Sequence, residues 1–253
     1  MSILDLLPTG SALVALVAAA LAGGIARGFS GFGAGLIFIP LAGAAVGPRI
    51  AAPLLLVIDL IPVIALAPGA WRVADRKEVG WLTLGVLAGL PLGVVMLAQA
   101  EPLVLRWLVS AVILALLAMA ASGWRFPPIP DRRLTLGVGG VAGVLAGIAL
   151  VPGPPVMAWL LGRRLPPMQL RAIFNLFLAT SGALTAVAFT AAGLLTSALL
   201  GPLLAAGPAY VFGTWVGTRL FGVVSEGVFR RACYAMIAAS AILSLPLLDP
   251  LLR

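Results

Sequence analysis

The stretch GGIARGFSGFGAG, residues 23–35, decides the fold of this chain. It follows an apolar run that begins near residue 10, and its glycines at 28, 31, 33 and 35 weaken a helix and permit unusual backbone angles. A second stretch, GVLAGIALVPGPP at residues 143–155, carries three prolines that must interrupt a helix, because proline has no backbone N–H. Two apolar segments are therefore broken by glycine or proline.

The composition places the chain in lipid. Of its 253 residues, 62% are hydrophobic and only 9% are charged, whereas a soluble domain averages about 25% charged residues. The apolar runs are long and do not alternate, which favours helices over a barrel. We predict an all-α polytopic membrane protein with apolar segments near residues 10–26, 33–46, 50–70, 80–98, 103–122, 134–150, 154–162, 171–191, 197–223 and 229–248.

Several classes of protein are excluded by the residues that the chain lacks. It has no histidine and one cysteine, Cys233, which removes Cys/His metal sites and Ser-His-Asp triads. We predict no cofactor and no metal. The net charge of +8 comes from single or paired cations between apolar runs, which is typical of cytoplasmic membrane loops and not of a nucleic-acid surface.

The two halves of the sequence resemble each other. Residues 124–133, WRFPPIPDRR, form a proline-rich polar linker between an N-terminal membrane repeat at 1–123 and a C-terminal one at 134–253. Such duplication is common in secondary transporters. The overlay matches Gly23-Gly24 with Gly139-Gly140, Arg49 with Arg171, Gly89 and Gly93 with Gly213 and Gly217, and Arg106 with Arg230.

Charge decides the orientation of the repeats. If each broken segment crosses the membrane twice, only Arg49, Arg106 and Arg253 of the sixteen Lys and Arg residues lie on the side opposite the others. If each crosses once, the two sides carry nearly equal charge. The positive-inside rule favours the first arrangement. It predicts two inverted repeats of about five membrane segments, each opening with a Gly/Pro-broken hairpin, although 154–162 is too short to span unaided.

Each break is a candidate anion site. A broken helix exposes backbone N–H groups at the next helix N-terminus, where the dipole is positive. Matched interruptions in two halves indicate a transporter binding site, and the alternative is a kink or close packing. The predicted substrate-binding residues at the breaks are Ser30, Gly31, Gly33, Gly35, Gly153 and Pro154.

A few polar side chains lie beside these segments. Arg27 is either an anion ligand or a side chain that snorkels to the interface after a helix ending at residue 26. Asp59, deep in an apolar run, is a proton-coupling candidate or a structural ion-pair partner. Asn175 follows Arg171 by one helical turn, so the two share a helix face. Asn175, Arg171 and Arg49 are predicted to bind the substrate. The alternative for Asn175 is a hydrogen bond between helices.

At the two breaks the chain resembles the TauE/SafE family of sulfite and organosulfur anion transporters. The resemblance rests on the glycine-rich motif ending in Ile39-Pro40 and on its weaker copy with Gly153-Pro154-Pro155. The family favours a glycine pair where this chain has Ala34-Gly35, and glycine where it has Pro152. The resemblance implies transport of an anion such as sulfite, sulfoacetate or thiosulfate across the bacterial inner membrane.

The residues and the resemblance together favour a secondary transporter for a small anion, such as sulfite, a sulfonate or a related carboxylate. The expected partners are that anion, membrane lipid and a second copy of the chain in a homodimer. An anion channel could use the same broken helices as a pore, and turnover separates it from a carrier. A membrane enzyme would need a nucleophile, base or metal cluster that the residue content does not offer.

Overall fold

Helices make up the regular structure of the described residues. A computed structural model of the chain describes residues 7–8, 10–31, 33–123, 131–163, 165–220, 223 and 225–248. In this part of the chain the prediction of an all-helical protein is confirmed. The helices are α1 Ser11–Ser30, α2 Ala34–Val46, α3 Pro48–Val73, α4 Arg76–Gln99, α5 Pro102–Ser122, α6 Arg132–Ala149, α7 Gly153–Gly162, α8 Pro167–Ala191, α9 Leu200–Leu220 and α10 Glu226–Leu243, with short 3-10 turns at Ser197–Leu199 and Pro246–Leu248.

Helix length separates spanning segments from short ones. Within the described ranges, seven helical segments are long and apolar enough to cross a membrane: α1, α3, α4, α5, α6, α8 and the segment Ser197–Leu220 that contains α9. The helices that follow the breaks are shorter, at 13 residues for α2 and 10 for α7. At 1.5 Å per residue they extend about 20 Å and about 15 Å, against a hydrocarbon core of about 30 Å.

The helix starts recur along the chain. α7 and α8 begin 119 residues after α2 and α3, and α9 and α10 begin 124 residues after α4 and α5. The predicted linker 124–133 separates the two series, and its residues 124–130 lie outside the described part of the chain.

The helices pack into two compact units. Unit 1 comprises Met1–Ile58, Ala100–Ala118 and Leu194–Arg253, and unit 2 comprises Asp59–Gln99 and Met119–Gly193. Each unit draws helices from both sequence halves, so a spatial unit is not a sequence half. The boundaries 1–123, 124–133 and 134–253 describe the sequence, and they stay a prediction.

Each unit contains one pair of parallel helices joined through glycines. In unit 1, a Cβ on Gly213 would lie 2.5 Å from the carbonyl oxygen of Leu21, and one on Gly217 would overlap that of Ile25. In unit 2, a Cβ on Gly89 would overlap the carbonyl oxygen of Gly140. Because these glycines have no side chains, the backbones of α1 and α9, and of α4 and α6, touch. Small residues at four-residue spacing permit such contacts in membranes.

The contacts of the two pairs correspond atom by atom. A Cβ on Gly24 meets the amide nitrogen of Thr214 at 3.0 Å, and one on Gly143 meets that of Leu90 at 2.9 Å. Gly24 therefore corresponds to Gly143 in the second half of the sequence, an offset of 119 residues. The overlay of Gly23-Gly24 on Gly139-Gly140 uses an offset of 116 and is wrong by three positions. The match of Gly89 and Gly93 with Gly213 and Gly217 agrees with the contacts.

Candidate functional site

The break between α1 and α2 is built on left-handed glycines. Gly31 ends α1 with φ 76°, and its N–H bonds the carbonyl of Arg27 at 2.8 Å. Gly33 precedes α2 with φ 91°. Side chains other than glycine adopt such angles at a cost, so the sequence interrupts the helix here, as predicted.

Arg27 lies inside α1 and not after its end. Because α1 continues to Ser30, the interpretation that the first helix ends at residue 26 is wrong, and Arg27 is only 7% exposed. Its Nη1 donates to the carbonyl oxygen of Gly31. Ser30 Oγ donates to the carbonyl of Ala26 at 2.7 Å. Both side chains therefore close the last turn of α1, and the Ser30 hydroxyl must rotate before it can donate to an anion.

The N-terminus of α2 is buried and rich in donors. Ala34 and Gly35 are buried, and the N–H of Leu36 bonds the carbonyl of Gly33 at 3.1 Å. The first N–H groups of a helix have no acceptor within that helix. The N–H groups of Ala34 and Gly35 are therefore the backbone donors that this break offers to a ligand.

The break between α6 and α7 begins with the same left-handed turn, but the residue before its second helix has φ −73°, where Gly33 has φ 91°. Leu150 ends α6 in the left-handed region, at φ 51°, and its N–H bonds the carbonyl of Ala146 at 3.0 Å. α7 then begins at Gly153, followed by Pro154 and Pro155, which are all buried. Because the two prolines have no N–H, Gly153 supplies the backbone donor of the first turn, and Pro154 shapes the site without donating to it.

The other end of α7 is held by an ionic cluster. Glu78 at the start of α4 accepts hydrogen bonds on Oε1 from Trp159 Nε1 at 2.8 Å and from Arg163 Nη1 at 3.0 Å. Thr135 Oγ1, near the start of α6, lies 3.5 Å from the same oxygen. The carboxylate is 11% exposed and Arg163 is 20% exposed. The α6–α7 hairpin thus returns to the end of unit 2 from which α6 starts.

A model of the family described as sulfite exporter TauE/SafE matches residues 16–244 of this chain. The chain belongs to this family. No curated protein and no solved structure matches it. Membership and the seven apolar helices make it a multi-pass protein of a membrane transport family, as the glycine-rich motif predicted.

The structure brings some of the predicted substrate-binding residues together and leaves others apart. Arg27, Ser30, Gly31, Gly33 and Gly35 meet at the α1–α2 break. Arg49 is exposed near the opposite end of α2, where its Nη2 donates to the carbonyl of Ala100 at 2.9 Å. It therefore lies apart from this break by the length of α2.

The remaining candidates belong to unit 2. Gly153 and Pro154 form the start of α7, and α7 packs against α8. On α8, Arg171 is exposed and Asn175 is half-buried. Asp59 is half-buried within α3. The contacts of the described residues assign no anion to these five candidates, so their roles stay predictions.

Two residues that shape the α6–α7 hairpin were not predicted from the sequence. Glu78 stands in the polar connector RVADRKE, where a carboxylate usually meets water, and its donors lie about 80 residues further along the chain. A tryptophan inside the short apolar segment 154–162 was the available signal, since a buried indole N–H needs an acceptor. Leu150 carried no signal, because leucine is a poor choice for a left-handed position.

Proposed function

We propose that the chain is a secondary transporter that carries a small anion across the bacterial inner membrane by alternating access. The anion is sulfite, a sulfonate such as sulfoacetate, or a related organosulfur or carboxylate anion. The observation that carries this proposal is the buried N-terminus of α2, opened by Gly33 and flanked by the buried Arg27.

The chemistry of this break suits an anion. The N–H groups of Ala34 and Gly35 replace water around a negative oxygen, and the helix dipole and Arg27 add positive potential. The sequence contains no acidic residue between Asp5 and Asp59, nor between Asp131 and Glu226. Neither stretch that carries a break therefore supplies a carboxylate to repel an anion or to hold a cation.

Charge supports opposite orientations for the corresponding helix pairs. In unit 1, Arg27 and Arg219 lie in the last turns of α1 and α9. In unit 2, Arg76 and Arg132 begin α4 and α6. If both basic ends face the cytoplasm, the two pairs run in opposite directions across the membrane. Together with the recurring helix starts, this supports two inverted repeats of five helices at 1–123 and 134–253.

The remaining assignments complete the proposal. Gly153 donates its N–H at the second break and Pro154 shapes it, while Asn175 and Arg171 are the side-chain ligands predicted on α8. Asp59 couples transport to protons, since it is a half-buried carboxylate within an apolar helix, and ionisable residues inside membrane segments mark proton pathways. Arg49 and a homodimer stay predictions.

Flux in proteoliposomes tests the proposal. We expect saturable movement of labelled sulfite or sulfoacetate that is absent from empty liposomes, and faster movement under a pH gradient. Asp59→Asn should keep exchange at equal pH and lose the stimulation by the gradient. Unitary electrical currents would show a channel instead, and the absence of flux for every anion tried would refute a carrier.

A further inference from the structure

A basic patch lies where α4 and α6 begin in unit 2. Its cations are all exposed: Arg72, Arg76, Lys77, Arg132 and Arg133. Asp75 and Asp131 use a carboxylate oxygen to cap the helices, bonding the N–H of Lys77 at 2.9 Å and of Arg133 at 2.8 Å. Glu78 is paired with Arg163. Five exposed cations thus outnumber the two capping carboxylates, which leaves a net positive surface.

Two tryptophans flank this patch. The Arg76 guanidinium carbon lies 5.6 Å from the ring centroid of Trp71, which is 54% exposed. The Arg132 guanidinium carbon lies 5.7 Å from the ring centroid of Trp81. Tryptophan is enriched at the level of lipid headgroups, and cation–π contact holds each guanidinium beside an indole. Exposed cations beside tryptophans are typical of the depth of the headgroups.

Exposed apolar residues follow the patch along α4 and α6. One helical turn beyond Trp81 and Arg132, Gly85 meets the backbone of Leu136, so the two helices touch on this side. Leu84 on α4 and Val141 on α6 are more than half exposed. Gly137 is exposed, with open space where a side chain would stand. Exposed apolar surface thus follows the basic patch on both helices.

We propose that this surface binds an anionic phospholipid of the adjoining leaflet. The phosphate binds to Arg76 and Arg132, and the acyl chains cover the exposed apolar surface of α4 and α6. Basic pockets between transmembrane helices recognise anionic headgroups in this way. A free phosphate would use the cations only, whereas a lipid uses the cations and the apolar surface below them. The inference is independent of the transported anion.

Unit 1 offers a matched control. Arg219 lies 5.1 Å above the ring of Trp215, which is 53% exposed. This pair has the same chemistry as Arg132 with Trp81. It differs because Arg219 is the basic residue in the last turn of α9, whereas Arg132 belongs to the patch of five exposed cations.

The experiment measures lipid binding to purified, delipidated protein in a neutral detergent by native mass spectrometry and thermal unfolding. The probes are phosphatidylglycerol, phosphatidylcholine with the same chains, and inorganic phosphate. We expect phosphatidylglycerol to bind more tightly than phosphatidylcholine, and the double variant Arg76→Ala/Arg132→Ala to weaken it by about 30-fold, since each cation near the surface contributes about tenfold or less. Arg219→Ala should bind like the wild type.

Three results would overturn the proposal: equal binding of the two lipids, equal weakening by Arg219→Ala, or the same stabilisation by inorganic phosphate as by phosphatidylglycerol. The unfolding temperature in phosphatidylcholine checks that the double variant folds. If the double variant does not fold, Arg132→Gln replaces it, since it keeps a polar side chain beside Trp81. It should weaken phosphatidylglycerol binding by about half as much as the double variant, on a logarithmic scale.

Discussion

The two breaks begin alike but then differ in backbone and in chemistry. In both, a left-handed residue ends the first helix, and the next helix begins three residues later. At an offset of 119, Gly31 corresponds to Leu150, Gly35 to Pro154, and Arg27 to Ala146. The α1–α2 break thus has a buried arginine and an N–H group at each of the first two positions of the next helix, while the α6–α7 break has no arginine at the corresponding position and keeps only the first of those two N–H groups.

The difference suggests that the two breaks serve different purposes. The first break offers donors for an anion, and the second is shaped by proline and held at the far end of α7 by Glu78. We expect damage to the first break to appear in transport, and damage to the second to appear first in stability.

The largest effect is expected from Glu78→Ala. The variant leaves Arg163 and the indole N–H of Trp159 without their carboxylate, and breaking a buried ion pair costs about 3 kcal/mol. The free energy of unfolding in detergent measures the loss. The exchange Glu78→Arg with Arg163→Glu should recover part of it. A Glu78→Ala protein as stable as the wild type would show that α7 is anchored by other contacts.

Gly35→Pro should mainly impair transport. It places at the first break the residue that stands at the corresponding position 154, removing one N–H while α2 remains foldable, because proline is tolerated in the first helical turn. A hydrogen bond to a charged ligand contributes about 2 kcal/mol, so Vmax/KM for sulfite should fall by about 30-fold. Gly35→Ala keeps the N–H and controls for size. Equal losses in both variants would exclude this N–H as a ligand.

Arg27→Ala should lower both stability and affinity. The free energy of unfolding should fall by about 1.5 kcal/mol, because the carbonyl of Gly31 loses a charge-assisted donor, and the KM for the anion should rise. Arg27→Lys keeps the charge and should restore the KM more than the stability. If Lys and Ala give the same KM, Arg27 acts only as a helix cap.

The smallest effect is expected from Gly31→Ala. Open space surrounds the added methyl group, so the cost is that of a left-handed backbone, about 1 kcal/mol in the free energy of unfolding. Gly69→Ala in α3 is the matched control, with the same open space and an ordinary helical backbone; it should be neutral or slightly stabilising. A loss of the same size at Gly69 would contradict the backbone explanation.

The positions of the breaks could be predicted because glycine and proline act locally. The predicted segments 33–46 and 154–162 differ by one residue from the starts of α2 and α7. The end of α1 was predicted four residues early, since Arg27 reads as an interfacial charge although it is buried. The register of the repeats was three residues off between α1 and α6, because glycines recur every few residues and several alignments match them.

Long-range pairing was beyond the sequence. The contact of Glu78 with Trp159 and Arg163 depends on the path of α7 back toward the start of α6, and nothing local encodes it. The sequence also does not indicate that each compact unit combines helices from both halves. Small residues on α1 and α9 indicate that each packs closely against some helix, but not against which one.

The glycine contact between α1 and α9 has a consequence for synthesis. Gly24 leaves the ribosome about 190 residues before Gly213, a delay of roughly ten to forty seconds at ordinary elongation rates. During that time the glycines of α1 that contact α9 have no partner helix in the bilayer. α4 waits only about 50 residues for α6. The nascent chain therefore completes unit 2 before unit 1, and α1 is the segment most in need of a chaperone or insertase while translation continues.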